Sequence, residues 1–344
     1  MKVLTFLLSL VFLSSQHDDC KLQASFDSNE LLLPIAIISD QDKKSRAAPS
    51  WYSTLNYGIL AISKNQTSAF IHWYGQKNIT SLFNYNGKAM ENSDLITFNN
   101  NLLTSDDKLG IVYKIRNSTA IPWIITMSGD GSVNRPFKGE WMTERNGYLY
   151  LGSNGKELVT KTGEFVSDDE MFIRIITPDG AIRVEDWTAR YIKVRLAVGI
   201  KFPGFMIHEA VQWSEVHQKW FFLPRYASKL PYIGTSIYAS GSNYLISVSD
   251  CFCDFEVINI GEMNDLRGFS AFQFVPGTDD TLIAAIKTEE VPSDPSDQDS
   301  EKEFATFITV FHVNGTVILD DLLISRSIKY EGLAFVDLMK CSRR

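Results

Sequence analysis

Five short segments of this chain share one grammar: an oxygen-bearing polar residue, then an apolar run of strand type. They are "MENSDLITF" at Ser93, "FKGEWMTE" at Glu140, "MIHEAVQW" at Glu209, "RGFSAFQFV" at Ser270 and "KYEGLAFV" at Glu331. Successive marked residues lie 47, 69, 61 and 61 positions apart, a step that fits one four-stranded sheet per repeat with loops of varying length. In four segments a turn and a second strand follow, and Arg145-Asn146-Gly147 reads as a tight hairpin. The fifth has almost no chain behind it, while the N-terminal runs "PIAIISD" and "YGILAIS" are unassigned. The expectation is an all-β fold, a five-bladed β-propeller whose last blade is completed by the two ends of the chain.

The remaining sequence agrees with an all-β class. Runs such as "LGIVYKI", "MFIRIIT", "KWFFLP" and "FITVFHV" are rich in β-branched and aromatic residues. Helical periodicity is scarce, with "EDWTARYIKVRLAVGI" the best candidate. The acidic stretch "EEVPSDPSDQDSEKEF", Glu289 to Phe304, reads as an exposed loop between two strands. No composition shift marks a domain boundary, so residues 16–344 read as a single domain.

In a propeller the innermost strand of each blade begins beside the central channel. Three glutamates and two serines would then converge on the axis, unfavourable for the carboxylates unless a cation sits among them. Hard oxygen ligands in flexible number select Ca²⁺ over zinc or copper. Glu209 on its own, taken singly, would be read as a strand end pointing to water.

Composition bounds the function. "MKVLTFLLSLVFLSSQ" has the pattern of a secretory signal peptide over residues 1–15, with an apolar run too short to span a bilayer. The expected product is exported and has no membrane span. Acceptor motifs for N-glycosylation occur at Asn65, Asn78, Asn117 and Asn314. A formal charge of −8 and a pI near 5.2 give nucleic acid no global attraction. Four cysteines allow three pairings. Propeller closure favours Cys20 with Cys341, whereas Cys251 and Cys253 stand too close in sequence for an easy bridge and stay open. No phosphate-binding G-x-x-x-x-G-K-[ST] occurs, "GSNGKE" lacking its spacing, and no G-x-S-x-G elbow is present. The histidines form no close metal pair, and His208, beside Glu209, should point away from the channel as a packing residue.

The segments "ISDQD", "AMENSDLITFNNNLLTSDDKLGIVYKI", "IPWIITMSGDGSV", "FKGEW", "PGFMIHEAVQW", "KWFFLPRYAS", "RGFSAFQFVPGTDD" and "IKYEGLAF" resemble the calcium-activated nucleotidase family, the bed-bug-type apyrases. The resemblance runs from about Ile35 to Val336. It implies a five-bladed propeller with a central Ca²⁺ that hydrolyses nucleoside di- and triphosphates. Its calcium ligands fall on Ser93, Glu140, Glu209, Ser270 and Glu331. Its functional acids fall on Asp40 and Asp107, which would orient or deprotonate the attacking water, and its active-site arginine on Arg225. Three glutamates and one Ca²⁺ leave a net negative charge, so cations must help hold a diphosphate; Arg225, with its planar fork, suits this, and Lys138 and Lys329 flank two of the glutamates. The chain looks like the secreted salivary apyrases of blood-feeding insects, which implies removal of extracellular ATP and ADP and so inhibition of platelet aggregation. The competing reading is a secreted, non-catalytic propeller with a structural calcium and a ligand-binding mouth.

Overall fold

The computed structural model describes residues 30–294 and 300–337. The expected leader, Cys20 and Cys341 lie outside that range. The chain is nearly all β. It opens with β1 (Glu30–Asp40), β2 (Arg46–Ala47), β3 (Ser50–Ser63) and β4 (Ala69–Ser81). Next come β5 (Asn92–Phe98), β6 (Asn101–Asp106), β7 (Ile111–Arg116) and β8 (Thr119–Ile125). β9 (Trp141–Arg145) and β10 (Tyr148–Gly152) precede the short ribbon of β11 (Leu158–Val159) and β12 (Phe165–Ser167). β13 (Phe172–Ile176) and β14 (Ile182–Asp186) lead into the helix α1 (Thr188–Ala197). The second half runs through β15 (Gly204–Ser214), β16 (Lys219–Pro231), β17 (Tyr244–Ser249) and β18 (Phe255–Asn259). It ends with β19 (Arg267–Phe274), β20 (Leu282–Pro292), β21 (Lys302–His312), β22 (Val317–Ser325) and β23 (Lys329–Phe335).

Four-stranded antiparallel arrays follow from the pairing. They are β23-β1-β3-β4, β5-β6-β7-β8, β9-β10-β13-β14, β15-β16-β17-β18 and β19-β20-β21-β22. A single parallel bridge, Thr80 to Thr119, links the outer edges of the first two. In the first array the last strand pairs with the first, Ile35 opposite Phe335 and Ile37 opposite Leu333. The leading strands β5, β9, β15, β19 and β23 contact one another in that cyclic order, β23 returning to β5.

Strand alternation explains why the arrays stack. One face of each carries apolar residues that meet the next array's apolar face. Ile96 and Leu103 pack with Met142 and Leu149 between the second and third arrays. Trp141, Trp187, Trp213 and Trp220 fill the seam between the third and fourth, where Trp187 and Trp220 meet edge-on at 4.8 Å. Phe221 and Leu223 pack with Phe272 and Ile283 across the next. Gly152 is required in the tryptophan seam, since a Cβ there would lie 1.9 Å from the Trp141 ring.

Polar ties also cross the seams. Asp94 Oδ2 accepts from the backbone N–H of Met142 at 2.5 Å. The Gln212 amide accepts from Thr143 Oγ1 at 2.8 Å and donates to the carbonyls of Met142 and Phe272, both at 3.1 Å. One buried side chain thus ties three arrays together.

Three local expectations change. Glu289 to Phe304 is not one long loop: β20 and β21 pair as far as Pro292 with Lys302, which leaves only 293–301 between them. Paired backbone groups outweigh the acidic composition that suggested a loop. The helix is shorter than the amphipathic window, ending where Gly199 adopts φ 73 and its N–H donates to Leu196 O at 2.9 Å. Cys251 and Cys253 are bridged to each other, because a left-handed Phe252 between them folds the hairpin tip back on itself.

Replacing Gln212 with leucine keeps the bulk but removes the donor to two carbonyls, of Met142 and Phe272, and the acceptor for the Thr143 O–H, whose oxygen keeps the Trp213 N–H. The expected loss is about 2 kcal/mol or more in urea unfolding; a change below about 0.5 kcal/mol would remove Gln212 from the account.

Candidate active site at the inner strand ends

The marked residues of the repeats occupy irregular backbone. In β5, Asn92 pairs with Asp106 and Asp94 with Ser105, so Ser93 is the extra residue of a bulge. Ser270 is likewise extra between Phe269, opposite Lys287, and Ala271, opposite Ile286. Glu331 is skipped where Ile38 pairs with Gly332 and Ser39 with Tyr330. In β15 the register breaks between His208 and Val211, around Glu209. Glu140 lies just ahead of β9, its N–H donating to Gly152 O at 2.8 Å. A bulge re-aims a side chain and frees its backbone from the ladder, a recurrent device beside functional sites.

The charges alternate. Arg225 Nη1 donates to Glu209 at 2.5 Å and to Glu331 at 2.9 Å. Lys329 Nζ lies 3.2 Å from Glu331 and 2.6 Å from Asp40. Oxygens of Asp40, Asp42 and Glu91 fall within 4.8 Å of one another. Lys108 Nζ joins Glu91 at 3.1 Å to Asp107 at 2.6 Å. Lys138 lies 3.0 Å from Asp107 and pairs with Glu140. From Glu209 to Glu140 this is one arc of acids and bases drawn from four arrays.

Burial sets the protonation of the arc. It pushes Asp40 up to about 8, only partly offset by Lys329. It pushes Glu91 up to about 7, with Asp40 adding to the rise and Lys108 opposing it. Asp107 is equally buried, but Lys108 and Lys138 outweigh burial and hold it well below the ordinary carboxylate range. Burial also raises Glu331, with Lys329 opposing and Glu209 adding.

The donor set fits a hard cation. Ser93 Oγ is buried without a hydrogen-bond partner, and so is Asp107 Oδ1. Ser270 Oγ has only a long contact of 3.4 Å to Tyr330 O. Hydroxyls left without partners among buried carboxylates are what an oxygen-liganded ion would satisfy. The structure brings Glu209 and Glu331 together through Arg225, and Ser270 beside the residue preceding Glu331. Glu140 joins them through the lysines rather than by direct approach.

A family model described as Apyrase matches residues 39–336. The chain belongs to the Apyrase family. It is 41% identical over 317 residues to "Apyrase apy-1" of Caenorhabditis elegans, covering 90% of this chain and 86% of that one. It is 39% identical to "Apyrase" of Cimex lectularius, over 88% of this chain and 82% of that one. To "Soluble calcium-activated nucleotidase 1" of Rattus norvegicus it is 37% identical, over 88% and 73%.

Within this apyrase-family chain, Arg225 is 1% exposed and also donates to Glu290 at 3.1 Å, which in turn pairs with Lys302. Its guanidinium is thus engaged by three carboxylates, Glu209, Glu331 and Glu290. Lys138 is a third exposed in its side chain at 33%, whereas Lys329 is 7% exposed. Glu91 and Lys108 went unassigned in sequence, although they stand two residues before Ser93 and next to Asp107. Lys156 is a further buried cation, its pKa pushed down by burial and partly restored by Glu170 at 3.8 Å. His208 faces away into the core, stacked on Tyr191 at 5.3 Å, and burial pushes its pKa down to about 3. Asn65, Asn78, Asn117 and Asn314 are all exposed. Among the described residues no helix is long and apolar enough to cross a membrane.

Arg225→Ala leaves Glu209, Glu331 and Glu290 facing one another. Breaking a buried ion pair in this way costs about 3–5 kcal/mol. Thermal melts should show a large loss in chelator and a smaller one in millimolar calcium; equal melting of variant and wild type in chelator would contradict the arc.

Proposed function

We propose that this chain is a secreted, calcium-dependent apyrase that hydrolyses ATP and ADP to AMP and phosphate, built as a five-bladed β-propeller. The observation that carries the reading is the arc of alternating charges, largely buried and set at irregular strand positions, in a member of the Apyrase family. Cyclic contact among the leading strands supports the propeller. The relatives' printed names, apyrase and soluble calcium-activated nucleotidase, support the reaction class.

Ser93, Glu140, Glu209, Ser270 and Glu331 hold Ca²⁺ in this reading, with Arg225, bonded to Glu209 and Glu331, keeping those two in place. When bound, the ion offsets negative charge that grows on the phosphoryl oxygens during attack. Asp107, held ionised, accepts a hydrogen bond from the attacking water and orients it. Asp40 takes the water's proton in its ionised form, which grows in as pH rises through its raised pKa of about 8. Lys138, the more accessible lysine, and Lys329 contact phosphate oxygens. Cleavage of a phosphoanhydride expels a phosphate that this cationic mouth can stabilise. An AMP ester would expel a sugar alkoxide, for which the site offers nothing.

Secretion is supported by the leader pattern and by four exposed glycosylation motifs. Acting outside the cell, the enzyme removes extracellular nucleotides, with inhibition of platelet aggregation as the consequence during blood feeding.

The test is phosphate release from ATP, ADP and AMP with calcium, magnesium or chelator. ATP and ADP should be hydrolysed in calcium, AMP should not, and magnesium should substitute poorly because it demands a tighter octahedron. Full activity in magnesium after calcium is stripped would overturn the reading.

A further inference from the structure

The fourth array carries chemistry at its outer edge that nucleotide hydrolysis does not use. The Cys251–Cys253 bridge sits at the tip of the β17–β18 hairpin, and both cysteines are exposed. Their ring closes over a separation of two residues. A ring this small removes little entropy from the unfolded chain, so the bond adds little to global stability. The hairpin is held by other means. Phe252 is 3% exposed and packs on Trp187 at 5.6 Å and on Phe222 at 6.2 Å. Its N–H donates to Ser249 O at 2.9 Å, and Ser249 N–H donates to Asp254 O at 3.2 Å. Arg145 clamps Asp250 at 2.8 Å. Opening the bridge would therefore leave both sulfurs presented by the same turn, ready to close again.

We propose that Cys251–Cys253 is a thiol–disulfide exchange site that takes low-molecular-weight thiols of the glutathione class and cycles in the folded protein. An external thiolate attacks Cys253 Sγ, the S–S bond breaks, and its electron pair leaves on Cys251 Sγ as a thiolate. The Ser249 hydroxyl lies 3.2 Å from Cys251 Sγ and 3.5 Å from Cys253 Sγ, and is placed to donate to that leaving sulfur. Asp254 Oδ2, 3.4 Å from Cys253 Sγ, disfavours a thiolate on Cys253, which sets the direction of the first step. A second thiolate then attacks the mixed disulfide, releasing the oxidised small-molecule disulfide and the protein dithiol. Oxidised glutathione reverses both steps. The site is remote from the acidic mouth, so it neither requires nor alters hydrolysis.

The experiment incubates the folded, calcium-loaded protein with millimolar reduced glutathione, traps thiols by alkylation and reads the tryptic peptide 230–267, which contains both cysteines. About half or more of the peptide should carry two labels, with the melting temperature and phosphate release unchanged, and oxidised glutathione should erase the labelling. With oxidised glutathione, Cys251→Ser should take one glutathione on Cys253 and release one reduced glutathione. Labelling only after denaturation, or reduction that unfolds the chain, would overturn the proposal. Failure of nucleotide hydrolysis would leave it standing.

Discussion

Buried carboxylates of like charge cannot share one region of a protein unless positive charge is interleaved. Asp40, Glu91, Asp107, Glu140, Glu209 and Glu331 meet that condition here through Arg225, Lys329, Lys108 and Lys138, most of them serving two acids each. The arrangement is economical in chain. Most contributing residues lie on or next to the start or end of a strand, while Glu209 and Arg225 sit mid-strand at register breaks of the β15–β16 pairing. Such an arc is rigid only if the strands bearing it are fixed, so the rest of the fold can be understood as its support.

That support has two layers. Apolar seams between consecutive arrays set the spacing of the leading strands, with the tryptophan cluster around Trp187 and Trp220 the bulkiest of them. On the leading strands themselves, Asp94 and Gln212 replace nonpolar packing with hydrogen bonds from one leading strand to the next. Asp40 and Glu331 come from opposite ends of the described chain and share Lys329 only because β1 pairs with β23. Closure of the chain and assembly of the site are in this sense one event.

The repeat was legible because each array restarts with an oxygen-bearing residue before an apolar strand, a periodicity that composition alone would hide. The bulges that explain those residues were not legible, since register depends on the partner strand. Glu91 and Lys108 were missed for a related reason: they sit outside the repeated position and gain their role from neighbours distant in sequence. Arg225 was legible as a cation of the site, but its three carboxylate partners were not, because Glu209, Glu290 and Glu331 come together only in the fold. Cys251 and Cys253 read as too close in sequence for an easy bridge because the bond depends on a left-handed Phe252 that propensity does not foresee.

The central claim is that the marked residues form a calcium cage and not a set of unrelated strand ends. Calcium titration of wild type and Glu209→Gln by calorimetry tests it most directly. The account predicts calcium binding to the wild type and at least about tenfold weaker binding to the variant, with calcium protecting the variant less against heat. In chelator the variant should melt no lower than the wild type, since one of two carboxylates on Arg225 Nη1 becomes neutral. Wild-type calcium affinity in the folded variant would contradict the cage and leave Glu209 as an ion-pair partner of Arg225 only.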